Sequence, residues 1–228
     1  MKKINYLLIL DRSGSMSSIR EQTIAGVNRQ FDEIRKVQSE QPDDLINVSL
    51  MLFDTNPHPY VSCDYVFVDK PAVEIKPITY NDFVPRGGTP LNDAIANGVK
   101  KIQDIMGTGA DDPNISVLVT IFTDGEENSS KEFTREQIMQ MIEELSKKDE
   151  KGFQKWAFAF VGAGGIAEVQ ATAASYGISK LMTMAYDGSA RGAEVAFQKI
   201  GSGTSCYMTR SLVGEAAPAN ENFFESQV

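Results

Sequence analysis

Three apolar runs of strand length, each stopping abruptly at a polar or glycine-bearing turn, constrain this chain most. Ile4-Asn5-Tyr6-Leu7-Leu8-Ile9-Leu10 runs into Asp11-Arg12-Ser13-Gly14-Ser15. Val117-Leu118-Val119-Thr120-Ile121-Phe122 runs into Thr123-Asp124-Gly125, and Trp156–Val161 runs into Gly162-Ala163-Gly164-Gly165. A strand that is apolar at consecutive positions has no face for water, so it belongs inside a sheet covered on both sides. Between these runs the apolar residues recur every three or four positions, the period of a helix with one buried stripe. Strands alternating with such helices give a parallel sheet.

Taken in order, residues 4–10 form the first strand. A helix follows from about Ser18 to Ser39, with Ser18 and Glu21 as a capping box and Ile19, Thr23, Val27, Phe31 and Ile34 facing inward. Leu45–Asp54 is the second strand. Asn56-Pro57-His58-Pro59 turns the chain, and Tyr60–Val68 returns antiparallel because the link is too short for a crossover. Residues 69–88 read as irregular. Thr89 is expected as N-cap and Pro90 as first residue of a helix carrying Leu91, Ile95, Val99, Ile102 and Met106 inward. Ile115–Thr123 is the next strand, then a helix capped by Thr134 and Gln137, the strand Trp156–Val161, an Ala-rich helix to about Tyr176, a short strand Leu181–Met184 and a last helix over 188–201. The expected fold is α/β: a doubly wound, mostly parallel six-stranded sheet with one antiparallel strand and helices on both faces. Residues 1–202 make one domain, and the Gly-, Ser- and acid-rich residues 203–228 a poorly ordered tail.

Composition narrows the function. Asp plus Glu number 31 against 22 Lys plus Arg, a net charge of −9, and no basic run is present. Neither nucleic acid nor an anionic membrane surface is expected as a partner. Cys63 and Cys206 are too few and too distant for a disulfide framework, and a single histidine, His58, excludes the usual Cys/His zinc set and any His-based nucleophilic triad. Met1-Lys2-Lys3 imitates the start of a signal peptide, but the apolar stretch behind it stops at Asp11. A cytoplasmic protein is expected.

Asp11, Ser13 and Ser15 alternate on an extended turn, so their side chains can converge. Three hard oxygen donors suit a hard divalent cation such as Mg²⁺ or Mn²⁺. Gly87-Gly88-Thr89-Pro90 and Thr123-Asp124-Gly125 fall at the same sheet edge, where open α/β sheets bind ligands. In this order, on these elements, the set resembles the metal-ion-dependent adhesion site of a von Willebrand factor type A (VWA) domain of the bacterial cytoplasmic type. That family's pattern is Asp-x-Ser-x-Ser, a distant Thr and a distant Asp, here Asp11, Ser13, Ser15, Thr89 and Asp124. The resemblance implies that Ser13 and Ser15 bind Mg²⁺ or Mn²⁺ directly, Thr89 does so in the ligand-engaged state, and Asp11 and Asp124 act through waters or hydrogen bonds to the serines. It also implies a non-enzymatic protein-binding module whose metal accepts an Asp or Glu carboxylate from a partner protein.

Other readings compete. A metal-dependent phosphate-handling enzyme could use the same carboxylates, but a phosphatase of the haloacid-dehalogenase kind wants an acid two residues after Asp11, where Ser13 stands. Gly162–Gly165 could cradle a phosphate, although the full glycine pattern is missing. By analogy alone, the lone-domain layout also resembles VWA subunits of bacterial stress or tellurite-resistance systems. Asp93, Glu126 and Glu127 are candidates to support the site, and Arg12 and Arg86 to steer an acidic partner. Trp156 is expected in the core, and Phe223-Phe224 either docks elsewhere or packs back. The sequence leaves oligomeric state open.

Overall fold

The computed structural model describes residues 1–56, 60–150, 152–214 and 222–225. Its elements are β1 (Lys3–Asp11), α1 (Arg20–Glu40), β2 (Leu45–Asp54), β3 (Ser62–Pro71), α2 (Leu91–Met106), β4 (Ile115–Thr123), α3 (Arg135–Leu145), β5 (Trp156–Ala163), α4 (Ile166–Ser175), β6 (Thr183–Tyr186) and α5 (Ala190–Val213). They build one six-stranded sheet in the order β3-β2-β1-β4-β5-β6. All neighbours are parallel except β2 and β3, which form the expected antiparallel pair.

Period-two alternation divides the apolar strands between two layers. Leu8, Leu10, Leu118 and Phe122 face α1 and α5, meeting Val27, Phe31, Phe197 and Ile200. Leu7, Ile9, Val119 and Ile121 face α2, α3 and α4, meeting Ile95, Val99, Ile138 and Val169. On the first face, a Cβ at Gly26 would lie 2.3 Å from Phe197 Cγ, so α1 admits α5 only because that residue has no side chain. Trp156 is buried, as expected.

β3 runs over Ser62–Pro71 rather than the expected Tyr60–Val68, and four further features differ from expectation. The Ser18–Glu21 capping box is not made; Gly14–Ile19 forms a 3-10 turn, and Ser18 Oγ donates to the Ser15 carbonyl at 3.3 Å. Gly14 N–H is tied to Gly87 O at 3.1 Å, and the chain tightens before the α-helix begins. Thr89 is not an N-cap: α2 begins at Leu91 behind Pro90, with no side-chain cap. The short last strand is Thr183–Tyr186, two residues beyond the expected Leu181–Met184.

The fourth correction concerns the tail. The last helix does not stop near residue 201 but continues to Val213, burying Gly203, Thr204, Cys206, Tyr207, Met208 and Leu212. Phe223 and Phe224 pack back, each 4% exposed. Phe223 N–H donates to Leu181 O at 2.9 Å, and the Phe223 carbonyl would lie 2.4 Å from a Cβ at Gly203. The small residues that read as a linker are the seat of an aromatic pair. The capping box of Thr134 and Gln137 forms as expected. The turn holding His58 lies outside the described residues.

Candidate functional site

β1 and β4 are adjacent where the strand order reverses, and both end at the same edge. There the crevice between diverging connections is open to a ligand. β1 delivers Asp11 and β4 delivers Thr123, with Asp124 next in the chain. Asp11 is fully buried, and both of its oxygens are engaged. Oδ1 accepts the Ser13 N–H at 2.7 Å, and Oδ2 accepts the Thr123 hydroxyl at 2.6 Å. Asp11 thereby fixes the turn that carries the serines.

Ser13 Oγ and Ser15 Oγ stand 3.1 Å apart, and Ser15 Oγ donates to Asp124 Oδ1 at 2.7 Å. A Cβ at Gly125 would meet Thr89 Oγ1 at 3.0 Å and Ser15 Oγ at 3.9 Å. Both hydroxyls therefore lie over one side of the turn behind Asp124, and the five expected residues are gathered at one corner. Among the described residues, no group of three or more His, Cys, Asp or Glu could hold a metal. The donors here are hydroxyls backed by two carboxylates.

Backbone bonds hold the three segments in register. Arg86 N–H donates to Arg12 O at 2.8 Å, and Gly14 N–H to Gly87 O at 3.1 Å, laying the Thr89 segment along the serine turn. Gly87 has φ +67 and would press a Cβ to 2.4 Å from Thr55 O, so only glycine fits the bend. Asn128 clasps Thr89 from the other side: its Oδ1 accepts Thr89 N–H at 3.0 Å, and its N–H donates to Thr89 O at 3.1 Å.

Two of the three supporting acids suggested by the sequence do such work. Buried Asp93 accepts the amides of Lys131, Glu132 and Phe133 at 2.7, 3.0 and 2.9 Å. Glu127 accepts the amides of Asn92, Ser129 and Ser130, each at 2.8 Å. Together they stitch the connection after Asp124 to the start of α2. The partner Asn128 was missed by sequence reasoning; an Asn beside two acids carries no local signal.

Arg12 and Arg86 do not stand free to steer a partner. Arg12 Nε and Nη2 donate to Asp54 and Asp64, both at 2.5 Å, and Arg86 reaches the same two carboxylates at 3.2 and 3.3 Å. Two cations and two anions balance, joining the ends of β1, β2 and β3. Burial tends to push Asp64 up, but its bonds to Arg12 and Ser62 outweigh that and leave its carboxyl below the ordinary value. The glycines after β5 are likewise engaged: Gly165 N–H points at Glu168 Oε2 at 3.4 Å, so an acid stands where a phosphate would need to lie.

The corner that holds Asp11 and Asp124 lacks such balance. Burial pushes the Asp11 carboxyl up to about 7, and neighbouring Asp124 adds to the rise despite the hydrogen bonds from Thr123 and Ser13. Asp124 is raised as well, chiefly by burial. Two carboxylates sharing a low-dielectric corner favour any cation that can join them.

No family model and no curated protein matches the chain. Solved structures do. The chain is similar to proximal thread matrix protein 1 from the mussel byssus (15% identity, TM-score 0.57, covering 88% of this chain and 48% of that one). It is similar to a von Willebrand factor type A protein from Catenulispora acidiphila (13%, 0.53, 92% and 43%). It is also similar to the vWF domain of the type V pili tip protein Mfa5 from Porphyromonas gingivalis (11%, 0.54, 88% and 94%). The chain thus spans less than half of the first two and nearly all of the third. At such identities the likeness speaks for the fold alone, and the fold is that of von Willebrand factor type A domains.

Proposed function

We infer that this chain is a non-enzymatic protein-interaction module that depends on a divalent cation, Mg²⁺ or Mn²⁺, at the corner formed by Asp11, Ser13, Ser15, Thr89 and Asp124. The observation that carries the reading is the convergence of three hydroxyls and two under-compensated carboxylates from three distant segments. The donor set fits a hard cation. Ser13 and Ser15 would hold it through Oγ, with Thr89 within reach. Asp11 is committed to the Ser13 amide and the Thr123 hydroxyl, and so orients the serines from behind. Asp124 holds Ser15.

A bound divalent cation supplies a positive centre able to accept an outside carboxylate. With most of the direct donors neutral, its charge is not quenched by the chain itself. The partner is then a protein presenting an Asp or Glu, and the likeness to the vWF domain of a pili tip protein supports an interaction role. The position two residues after Asp11 is a hydroxyl rather than an acid, which favours binding over phosphoryl chemistry.

The test is Mg²⁺ titration into EDTA-stripped protein, read by calorimetry and by thermal melt. The melting temperature is expected to climb with metal concentration, and the climb should disappear in Ser13→Ala and weaken in Thr89→Ala. An equal climb in all three proteins would refute the assignment.

A further inference from the structure

With Arg12 and Arg86 neutralised, the question is where unpaired positive charge remains near this edge. It lies beside β6. An open groove of about 320 Å³ runs between β6 and α5, bordered by Met184, Tyr186, Arg191, Val195 and Lys199. Arg191 and Lys199 are exposed, and neither has an ion-pair partner among the described residues. The one acid on the rim, Asp187, is turned onto the Ser189 amide and hydroxyl at 3.0 and 2.6 Å, where it helps start α5.

Two features define what would fit. First, among the described residues β6 is the outermost strand and pairs only with β5. The residues from Met184 to Asp187 border the groove without a gap, although strand side chains alternate between faces. It is therefore the free backbone edge of β6 that lines the groove, and such an edge is a template for another strand. Second, Arg191, Val195 and Lys199 repeat every fourth residue along α5, a step of about 6 Å. Alternate residues of an extended strand step by about 6.6 Å. A strand laid on β6 would thus match its same-face side chains to the stripe in the order cation, apolar, cation.

The geometry points to this groove as a docking site for an extended acidic segment of a partner protein, with acids at positions i and i+4 and an apolar residue at i+2. The positive stripe on a chain of net charge −9 and the free strand edge agree on that chemistry. The groove opens at the carboxyl end of β6, the edge that also bears Asp124. This site goes beyond the metal corner and needs no cation.

The probe is a fluorescein-labelled peptide, Thr-Glu-Thr-Val-Thr-Glu-Thr, measured by fluorescence anisotropy in low salt with EDTA. EDTA silences the metal corner, so failure here and failure there are read separately. Binding to the wild-type protein is expected. It should weaken about tenfold when Arg191→Glu and Lys199→Glu are combined, with an unchanged melting temperature. A peptide with Lys in place of Glu should bind the reversed protein instead. Moving the second Glu one position earlier puts the acids on opposite faces and should cost a similar factor. No binding, equal binding of both acidic peptides, or indifference to the reversal overturns the proposal. Self-association of the wild-type chain that the reversal abolishes also overturns it, since a second copy would then be the occupant.

Discussion

Asp11→Asn is expected to make the metal-free protein more stable while removing its response to metal. The ordinary carboxyl value is 3.8, and the folded protein holds Asp11 near 7. Below about pH 4 both the folded and the unfolded chain carry the proton, and nothing is gained or lost. Between about pH 4 and 7 the unfolded chain has released it and the fold has not, so stability falls as pH rises. Above about pH 7 the fold bears the full cost of a buried charge, at most about 4 kcal/mol.

An asparagine removes that cost and keeps the local bonds. Its Oδ1 can still accept the Ser13 amide, and its Nδ2 can donate to Thr123 Oγ1, whose own hydroxyl can turn to donate to Gly125 O at 3.0 Å. For a chain of this length, full relief corresponds to a melting temperature roughly 10 °C higher in EDTA at pH 8. At pH 4 the two proteins should melt together. Added Mg²⁺ should raise the wild type and leave Asp11→Asn unmoved. If the wild type is as stable as the variant at pH 8 in EDTA, the Asp11 carboxylate is not strained and the reasoning fails.

Arg12→Ala should destabilise by about 3 kcal/mol in urea titration, because Asp54 is fully buried and would keep only the longer Arg86 contact. A loss below about 1 kcal/mol would show that Arg86 suffices. Phe223→Ala should cost about 3 kcal/mol by the same measurement, since a buried aromatic leaves its seat on α5; an unchanged midpoint would show that the segment does not hold that helix.

The strands were legible because burial on both faces leaves an unmistakable trace. Val117–Phe122 can be nothing but interior, and the turn residues behind each run mark the edge at which they end. The gathering of Asp11, Ser13, Ser15, Thr89 and Asp124 followed from strand order. What escaped was decided by tertiary contact. Gly201-Ser202-Gly203-Thr204-Ser205 has the composition of a linker, yet its small side chains let Phe223 and α1 approach closely enough to keep it helical. Thr89 and Pro90 have the composition of a helix start, but the clasp of Asn128 on Thr89 pulls the residue out of that role. The arginines beside the site read as free charges because their partners, Asp54 and Asp64, are distant in sequence, 42 and 52 residues from Arg12 and 32 and 22 from Arg86.

The helix most distant in sequence from β1 is also the one that roofs it. α5 supplies Phe197 and Ile200 to the layer over Leu8, Leu10 and Phe122, where α1 otherwise stands alone. A chain emerging from the ribosome has both carboxylate-bearing strands, and can assemble the acidic corner, well before residue 190 is made. Until then the part of that apolar layer that α5 covers has no helix over it. The order of synthesis thus separates two events: the corner can form first, and the interior closes only when the last two dozen helical residues fold down and Phe223 follows them.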